Sequence, residues 1–289
     1  MRPKVSVICP LRNMEGRLQN LQTWIESCNS QFQIIFVCDT CTDKTSDQLR
    51  NIKNSLPLTE IEIIEGIYGS PGIARNAGLA RAVNDWVVFW DSDDIGAPIE
   101  LVEALSHGVT TQVDALVFGF EIHDSKSQKR SWSSWPLKDE ERMELLALNP
   151  GIWRICFKRS SINNLKFPGI RMAEDQVFIN NFIAKIPNIE FRNDVIYKYF
   201  VNVSNQLTSN KEAINDLKFA AEILSSQLGH HSESERFTLR IYGRILLTQI
   251  KQSQMQSKLH AGIQIIKLLV KFPKETFRLF INIMLEKPK

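Results

Sequence analysis

Long hydrophobic runs are missing from this chain. No uncharged stretch approaches the roughly 18 apolar residues that a membrane-spanning helix needs, which excludes such a helix within this sequence. The apolar run after Met1 is also short, beginning at Val5 and stopping at Pro10, so the expectation is a chain without a secretory leader. Cysteine is scarce. Cys9, Cys28, Cys38, Cys41 and Cys156 are odd in number and sit mostly in apolar runs, which excludes a disulfide-stapled scaffold and suits a reducing compartment. The expected location is therefore cytoplasmic. There is no internal repeat and no low-complexity tract, and the five histidines show no metal-ligand spacing.

What remains is an ordinary globular composition, 43% hydrophobic and 23% charged over 289 residues. That length holds one large domain, or one with an appendage, because single cores stop growing at about 250–300 residues. Net charge is +3, but it is unevenly placed. Residues 210–289 hold 13 Lys and Arg against 7 Asp and Glu, a net +6, which leaves residues 1–209 with 22 against 25, a net −3. An acidic body argues against a nucleic-acid binder, whose footprint would be a basic face with aromatic platforms.

Short β-branched runs alternate with helical stretches in the first half. Val5–Cys9, Gln33–Cys38, Glu60–Glu65 and Trp86–Trp90 read as strands buried on both faces, being nearly continuous in apolar residues and bounded by Pro, Gly or Asp. Glu15–Cys28, Lys44–Asn54 and Gly72–Val83 read as helices, the third announced by Ser70-Pro71, a capping hydroxyl before a proline at the first helical position. This alternation predicts a doubly wound parallel sheet, with ligands at the carboxyl ends of its strands. Beyond Asp94, the strand candidates Ala115–His123, Ile152–Lys158 and Ile189–Val201 are separated by a polar loop (Asp124–Pro136) and a helix (Asp139–Leu148), a pattern that adds antiparallel strands to one edge. Helical periodicity takes over from Lys211. The expected boundary lies in Asn202–Asn210, where Asn, Ser and Thr cluster, between a body of residues 1–205 and a basic helical region of residues 206–289.

The strongest chemical signal is Val87-Val88-Phe89-Trp90-Asp91-Ser92-Asp93-Asp94. Three carboxylates follow a hydrophobic strand directly, so the backbone delivers them to the ligand-binding edge, where they repel one another unless a cation sits among them. Hard oxygen donors of this kind suit Mg2+ or Mn2+ bridged to a diphosphate. The structural alternative is an Asp-rich turn. A phosphatase-type Asp-x-Asp is a rival, but it wants Gly-Thr after the second Asp, and Asp94-Ile95 follows here. In Cys38-Asp39-Thr40-Cys41-Thr42-Asp43, Asp39 leaves the sheet at the same edge, placed to accept hydrogen bonds from a base or ribose, while Thr42 and Asp43 serve equally as helix caps. Cys38-x-x-Cys41 invites a redox reading that nothing else supports. Gly69-Ser70-Pro71-Gly72-Ile73-Ala74-Arg75 is a turn entering a helix, whose N-terminus attracts phosphate, with Arg75 one turn in.

These stretches carry a resemblance. Val5-Ser-Val-Ile-Cys-Pro10-Leu-Arg-Asn13, Val37-Cys-Asp39-Thr-Cys-Thr-Asp43, Gly72-Ile-Ala-Arg75-Asn76-Ala-Gly78 and Phe89-Trp-Asp91-Ser-Asp93-Asp94 are similar, in order and spacing, to the motifs of family 2 glycosyltransferases with the GT-A fold. The resemblance implies a GT-A type doubly wound mixed sheet with a C-terminal helical appendage, residues 1–94 being the nucleotide-binding half and 95–205 the acceptor half. It further implies that Pro10, Asp39, Arg75, Asp91 and Ser92 contact a nucleotide-sugar donor and that Asp93 and Asp94 hold Mg2+ or Mn2+. Arg12 departs from the family, standing where an aromatic residue is frequent, and so does Cys38, where a second acid is frequent; both departures bear on nucleotide preference. Glu174-Asp175 before an apolar helical run is similar to the family's Glu-Asp motif, which makes Asp175 the catalytic base, with Glu174 next; two acids at a helix start are also what the helix dipole favours. Trp132, Trp135 and Trp153 are candidates to stack on a sugar acceptor or to pack in a core.

The reading is a metal-dependent inverting glycosyltransferase acting on a glycan or lipid-linked glycan acceptor in surface polysaccharide or glycolipid assembly. Its alternatives are a non-catalytic nucleotide-binding or scaffold protein and a metal-dependent nucleotidyltransferase. From Arg236 to Lys289 there are 11 Lys and Arg and 2 acids, with apolar residues at helical spacing. Met255, Leu259, Ile263, Ile266 and Val270 share one face, and Phe277, Phe280, Ile281, Met284 and Leu285 share another. The two expectations for this region are peripheral contact with the inner face of the plasma membrane, and packing on the domain or in a homodimer.

Overall fold

The computed structural model describes residues 3–107, 109, 112–124, 126–127, 130–132, 135–136, 138–203, 211–229, 234–252, 255–273 and 276. The strands are β1 (Val5–Leu11), β2 (Phe32–Asp39), β3 (Glu60–Gly66), β4 (Trp86–Phe89), β5 (Ile95–Gly96), β6 (Ala115–Asp124), β7 (Arg130–Trp132), β8 (Ile155–Lys158) and β9 (Ile189–Val201). The helices are α1 (Gln19–Ile25), α2 (Thr45–Ser55), α3 (Pro71–Leu79), α4 (Pro98–Ser106), α5 (Asp139–Leu148), α6 (Arg159–Ile162), α7 (Glu174–Ile183), α8 (Lys211–Ile214), α9 (Leu217–Ser226), α10 (Glu235–Gln252) and α11 (Met255–Lys271).

Two compact units are present. The first comprises Met1–Trp135, Ile152–Gly169 and Pro187–Ser204, and the second Pro136–Gly151, Ile170–Ile186 and Asn205–Lys289. Among the described residues all the strands lie in the first unit, in one mixed sheet of order β3-β2-β1-β4-β8-β6-β9-β5, with β7 paired to β6. Its β3-β2-β1-β4 half is parallel, as the alternating sequence predicts. β1 and β2 are almost wholly buried, which is why their sequences are apolar on both faces rather than alternating. β8 enters antiparallel against both β4 and β6. β5 follows β4 after only five residues, yet pairs with β9 at the opposite end of the strand order, so the sheet curls to bring its last pair back over the end of β4.

Some boundaries move for local reasons. The stretch Glu15–Cys28, expected as one helix, is helical only over Gln19–Ile25. Gly16 adopts φ 71°, and the loop before it gives its backbone N–H groups to side chains at the start of α2: Met14 N–H donates to Thr45 Oγ1 at 2.7 Å and Glu15 N–H to Asp43 Oδ2 at 2.9 Å. α3 begins where Ser70-Pro71 predicts, with Ser70 Oγ accepting from Ile73 N–H at 3.3 Å. The stretch Ile152–Lys158 opens with a 3-10 turn before β8, and the polar loop after Asp124 contains β7.

In the second unit α10 packs against α5, α7, α9 and α11. Its buried side, which includes Phe237, Ile241, Tyr242, Ile245 and Leu246, supplies the apolar stripe. Arg240 pairs with Glu144, and Arg244 donates to the Leu148 carbonyl at 2.7 Å, capping the C-terminal end of α5. Arg171 is held by Asp216 at 2.9 Å, and Gln227 bridges Asn180 and Asn181. The apolar face predicted after Pro273, from Phe277 to Leu285, lies outside the described residues.

Candidate active site

The carboxyl ends of the parallel strands converge in the first unit. β2 ends at Asp39 and β4 ends just before the loop Trp90-Asp91-Ser92-Asp93-Asp94, with β1 and its Pro10 between them. Asp39 is buried, and its Oδ1 accepts from Tyr68 N–H at 2.7 Å and Gly69 N–H at 3.0 Å. That shapes the turn leading into α3. Arg75, also buried, donates through Nη2 to Asp91 Oδ1 at 2.8 Å, and its guanidinium lies 5.7 Å from the centre of the Phe167 ring. Asn76, its neighbour, exchanges two hydrogen bonds of 2.9 Å with the backbone of Phe167, which fixes α3 and hence Arg75.

The three acids expected to act together have different surroundings. Asp91 and Asp93 are half-buried, and Ser92 is buried between them. Asp94 turns inward: Tyr197 Oη donates to its Oδ2 at 2.8 Å and Phe200 N–H donates to its Oδ1 at 2.7 Å. Burial first, and then the charge of Asp93, pushes the Asp94 carboxyl well above the usual carboxylate range, partly opposed by those two donors. Asn20 of α1 donates to the Asp93 carbonyl at 2.7 Å. Sequence reading missed Tyr197, Phe200 and Asn20, none of which carries a motif; they act because distant chain segments bring them to one loop.

Among the described residues, no group of three or more His, Cys, Asp or Glu side chains is arranged to enclose a metal. The donor set nonetheless fits a hard divalent cation that keeps most of its waters and is shared with substrate phosphates, a mode that needs only one or two carboxylates. Asp91, one oxygen of which accepts from Arg75, and Asp93 stand on a two-residue spacing at this edge, and both oxygens of the buried Asp94 accept hydrogen bonds.

The second unit holds Glu174 and Asp175 in the first turn of α7, after Ala173 in a left-handed conformation (φ 64°). Glu174 is buried and Asp175 half-buried, with Asp175 Oδ1 accepting from Gln176 N–H at 2.8 Å. Asp175 is the more accessible acid.

Two other sequence readings resolve toward packing. Trp153 is buried, stacked on Tyr197 at 4.7 Å and on Tyr199 at 5.3 Å, and Trp135 lies against the Arg154 guanidinium at 4.6 Å and the Phe191 ring at 4.9 Å. The side chain of Trp132 lies outside the described residues. Burial raises the Cys38 thiol to about 12 and leaves it a poor nucleophile, so Cys38-x-x-Cys41 lacks the lowered pKa of a redox dithiol. All five cysteines are free.

Comparison with known proteins bears on the whole arrangement. The pattern described as Glycosyl transferase family 2 matches residues 6–167, more than half of the chain. The Staphylococcus aureus poly(ribitol-phosphate) beta-N-acetylglucosaminyltransferase TarP is 24% identical over 260 residues, covering 82% of this chain and 79% of that one. Crystal structures with similar folds include S. aureus TarS 1–349 in complex with UDP-GlcNAc, at a TM-score of 0.64 and 19% identity over 96% of this chain and 79% of the other. A longer TarS structure is spanned over only 44% of its length. The Pyrobaculum calidifontis mannosyltransferase PcManGT in complex with GDP-Man and Mn2+ aligns at a TM-score of 0.58 and 14% identity, over 100% of this chain and 89% of that one.

Proposed function

The chain belongs to glycosyl transferase family 2 and has the GT-A fold, and we propose that it moves a sugar, with inversion, from a nucleotide-diphospho-sugar to an acceptor hydroxyl. The observation that carries this reading is the convergence of Asp39, Arg75, Asp91 and Asp93 at the carboxyl ends of neighbouring parallel strands. Asp39 keeps one carboxylate oxygen for the base or ribose while the other holds the turn before α3. Pro10 and Ser92 line the same edge. Arg75 pairs with Asp91 and brings a fixed positive charge toward the diphosphate. Asp93, with Asp91 beside it, would hold Mg2+ or Mn2+, while Asp94, the other ligand implied by the resemblance, is occupied in fastening the loop. The cation supplies charge neutralisation for the departing nucleoside diphosphate.

Asp175 is the base in this reading. Its carboxylate takes the proton of the acceptor hydroxyl as that oxygen bonds to the anomeric carbon from the face opposite the leaving group, and the bond from that carbon to the phosphate oxygen breaks. One displacement inverts the configuration. The relatives include enzymes named for poly(ribitol-phosphate) glycosylation, which supports a cell-surface polymer or lipid-linked glycan as acceptor. Incubating the chain with a panel of nucleotide-sugars and Mn2+, and following release of nucleoside diphosphate, tests the reading. Release of pyrophosphate from a nucleoside triphosphate and a sugar 1-phosphate, supplied in a parallel assay, would favour nucleotidyl transfer, and no turnover in either assay would favour a binding protein.

The proposal extends to where the enzyme works. No helix among the described residues is long and apolar enough to cross a membrane. α11 nevertheless exposes Leu259, Ile263, Ile266 and Val270 along one stripe, Val270 being 80% exposed, while Ala261 and Leu268 are buried. Lys258, Lys267 and Lys271 accompany that stripe, and α11 contains no acid. Two copies pairing through this face would bring like charges together, whereas an anionic bilayer surface matches both the apolar stripe and the lysines. The inner leaflet of the plasma membrane is the proposed location. Sedimentation with vesicles containing phosphatidylglycerol tests it: binding at low salt that Ile263→Ser with Ile266→Ser abolishes supports the contact, and a chain left in the supernatant at low salt removes it.

A further inference from the structure

The loop that carries Asp91 and Asp93 is fastened by a residue 103 positions beyond its last acid. Tyr197 is fully buried, and its hydroxyl has one proton and lone pairs to spend. The proton goes to Asp94 Oδ2 at 2.8 Å, and a lone pair accepts Asp91 N–H at 3.1 Å. One oxygen therefore ties the first residue of the Asp91–Asp94 loop to the last. Phe200, three residues further along β9, gives its N–H to the other Asp94 oxygen at 2.7 Å.

The hydroxyl is separable from what holds the fold. The Tyr197 ring is stacked on Trp153 at 4.7 Å with an 11° interplanar angle and lies against Trp90 at 6.4 Å. Its backbone pairs with Gly96 in the β5–β9 ladder, and Ala97 N–H donates to the Ile196 carbonyl at 2.8 Å. Those interactions survive loss of the oxygen; the two hydrogen bonds to the loop do not.

We propose that Tyr197 is a positioning residue for donor binding, its hydroxyl setting the spacing of the Asp91 and Asp93 carboxylates by clamping both ends of their loop. The inference rests on the donor-binding reading of that loop. Groups that orient ligand-bearing residues typically change affinity by 10–100-fold when removed. Asp94 becomes part of the clamp, a role different from that of a ligand.

The test is calorimetric titration with UDP, GDP, ADP and dTDP, each with Mn2+, on the full chain. Tyr197→Phe is expected to weaken the preferred nucleotide by roughly 10–100-fold while melting within about 10 °C of wild type. Phe118→Leu, a buried change in the same core, is the control for general destabilisation and should leave nucleotide affinity within about twofold at a comparable loss of melting temperature. Combining Tyr197→Phe with Asp94→Asn should add little to the larger single effect, as expected of groups in one unit. Unchanged nucleotide affinity in Tyr197→Phe overturns the clamp, and so does an equal weakening in Phe118→Leu. Fully additive losses also overturn it, by placing Asp94 on the ligand. A wild-type chain that binds none of the four nucleotides overturns the donor reading and this inference with it.

Discussion

Gly96 offers a direct test of how tightly the loop is built. It lies in β5 opposite Tyr197, and a Cβ added there would stand 2.2 Å from Trp90 Cε3, 2.3 Å from Cζ3 and 2.7 Å from Cδ2. Ordinary carbon contacts lie at about 3.5–4.0 Å, so the indole would have to retreat by roughly 1.3–1.8 Å. It has little room to do so. Trp90 is fully buried, meets Trp24 edge-on at 5.2 Å, and donates from Nε1 to the Trp153 carbonyl at 3.2 Å. Overpacking a core costs about 1–3 kcal/mol, and a rigid ring held on several sides puts Gly96→Ala near the upper end. At about 2–4 °C per kcal/mol for a domain of this size, the melting temperature should fall by roughly 6–12 °C. Because Trp90 immediately precedes Asp91, nucleotide affinity should fall with it. Thermal melts and urea titration measure the first effect, and calorimetry the second. A Gly96→Ala chain with the wild-type melting temperature and urea midpoint would refute the reasoning, since the ring would then have moved freely.

Three further outcomes are expected. Asp175→Asn should lower turnover by roughly 10²–10⁴ while leaving donor affinity nearly unchanged, because the amide keeps the shape and loses the proton acceptor; near wild-type turnover would move the base elsewhere. Hydrogen bonds from Arg171 hold Asp216 below its ordinary value of 3.8, so its contribution to stability is complete above that value and disappears as pH falls through the lowered one. Urea midpoints measured downward from about pH 4 should therefore drop more steeply for wild type than for Asp216→Asn, and parallel curves would remove the pair from the acid response. Cys38, its thiol raised to about 12 by burial, should resist iodoacetamide at pH 8 in the folded chain and react in urea; rapid native-state labelling located at Cys38 by peptide mass mapping, as distinct from the half-buried Cys28 and Cys41, would contradict its burial.

Much of the first unit was legible locally. Strands buried on both faces must be apolar at successive positions, and β1, β2 and β4 therefore announce themselves within a few residues. Once those strands are parallel, chain direction alone puts Asp39 and Asp91–Asp94 at one edge, so the location of the acids needs no tertiary information. Ser70-Pro71 likewise fixes the start of α3, because capping is decided within one turn. β5 left no such trace, since two residues have no periodicity and exist as a strand only because β9 is there to pair with them. The second unit gathers Pro136–Gly151 and Ile170–Ile186 from the middle of the chain around α10, an association that depends on side-chain fit between segments far apart in sequence. Composition and order thus determined the class of the sheet, the edge at which chemistry is concentrated and the acids available there. Which acid faces a ligand and which one fastens the loop was decided only in three dimensions: the oxygens of Asp94 are claimed by Tyr197 and Phe200, and hydrogen bonds between groups more than a hundred residues apart are invisible to any local pattern.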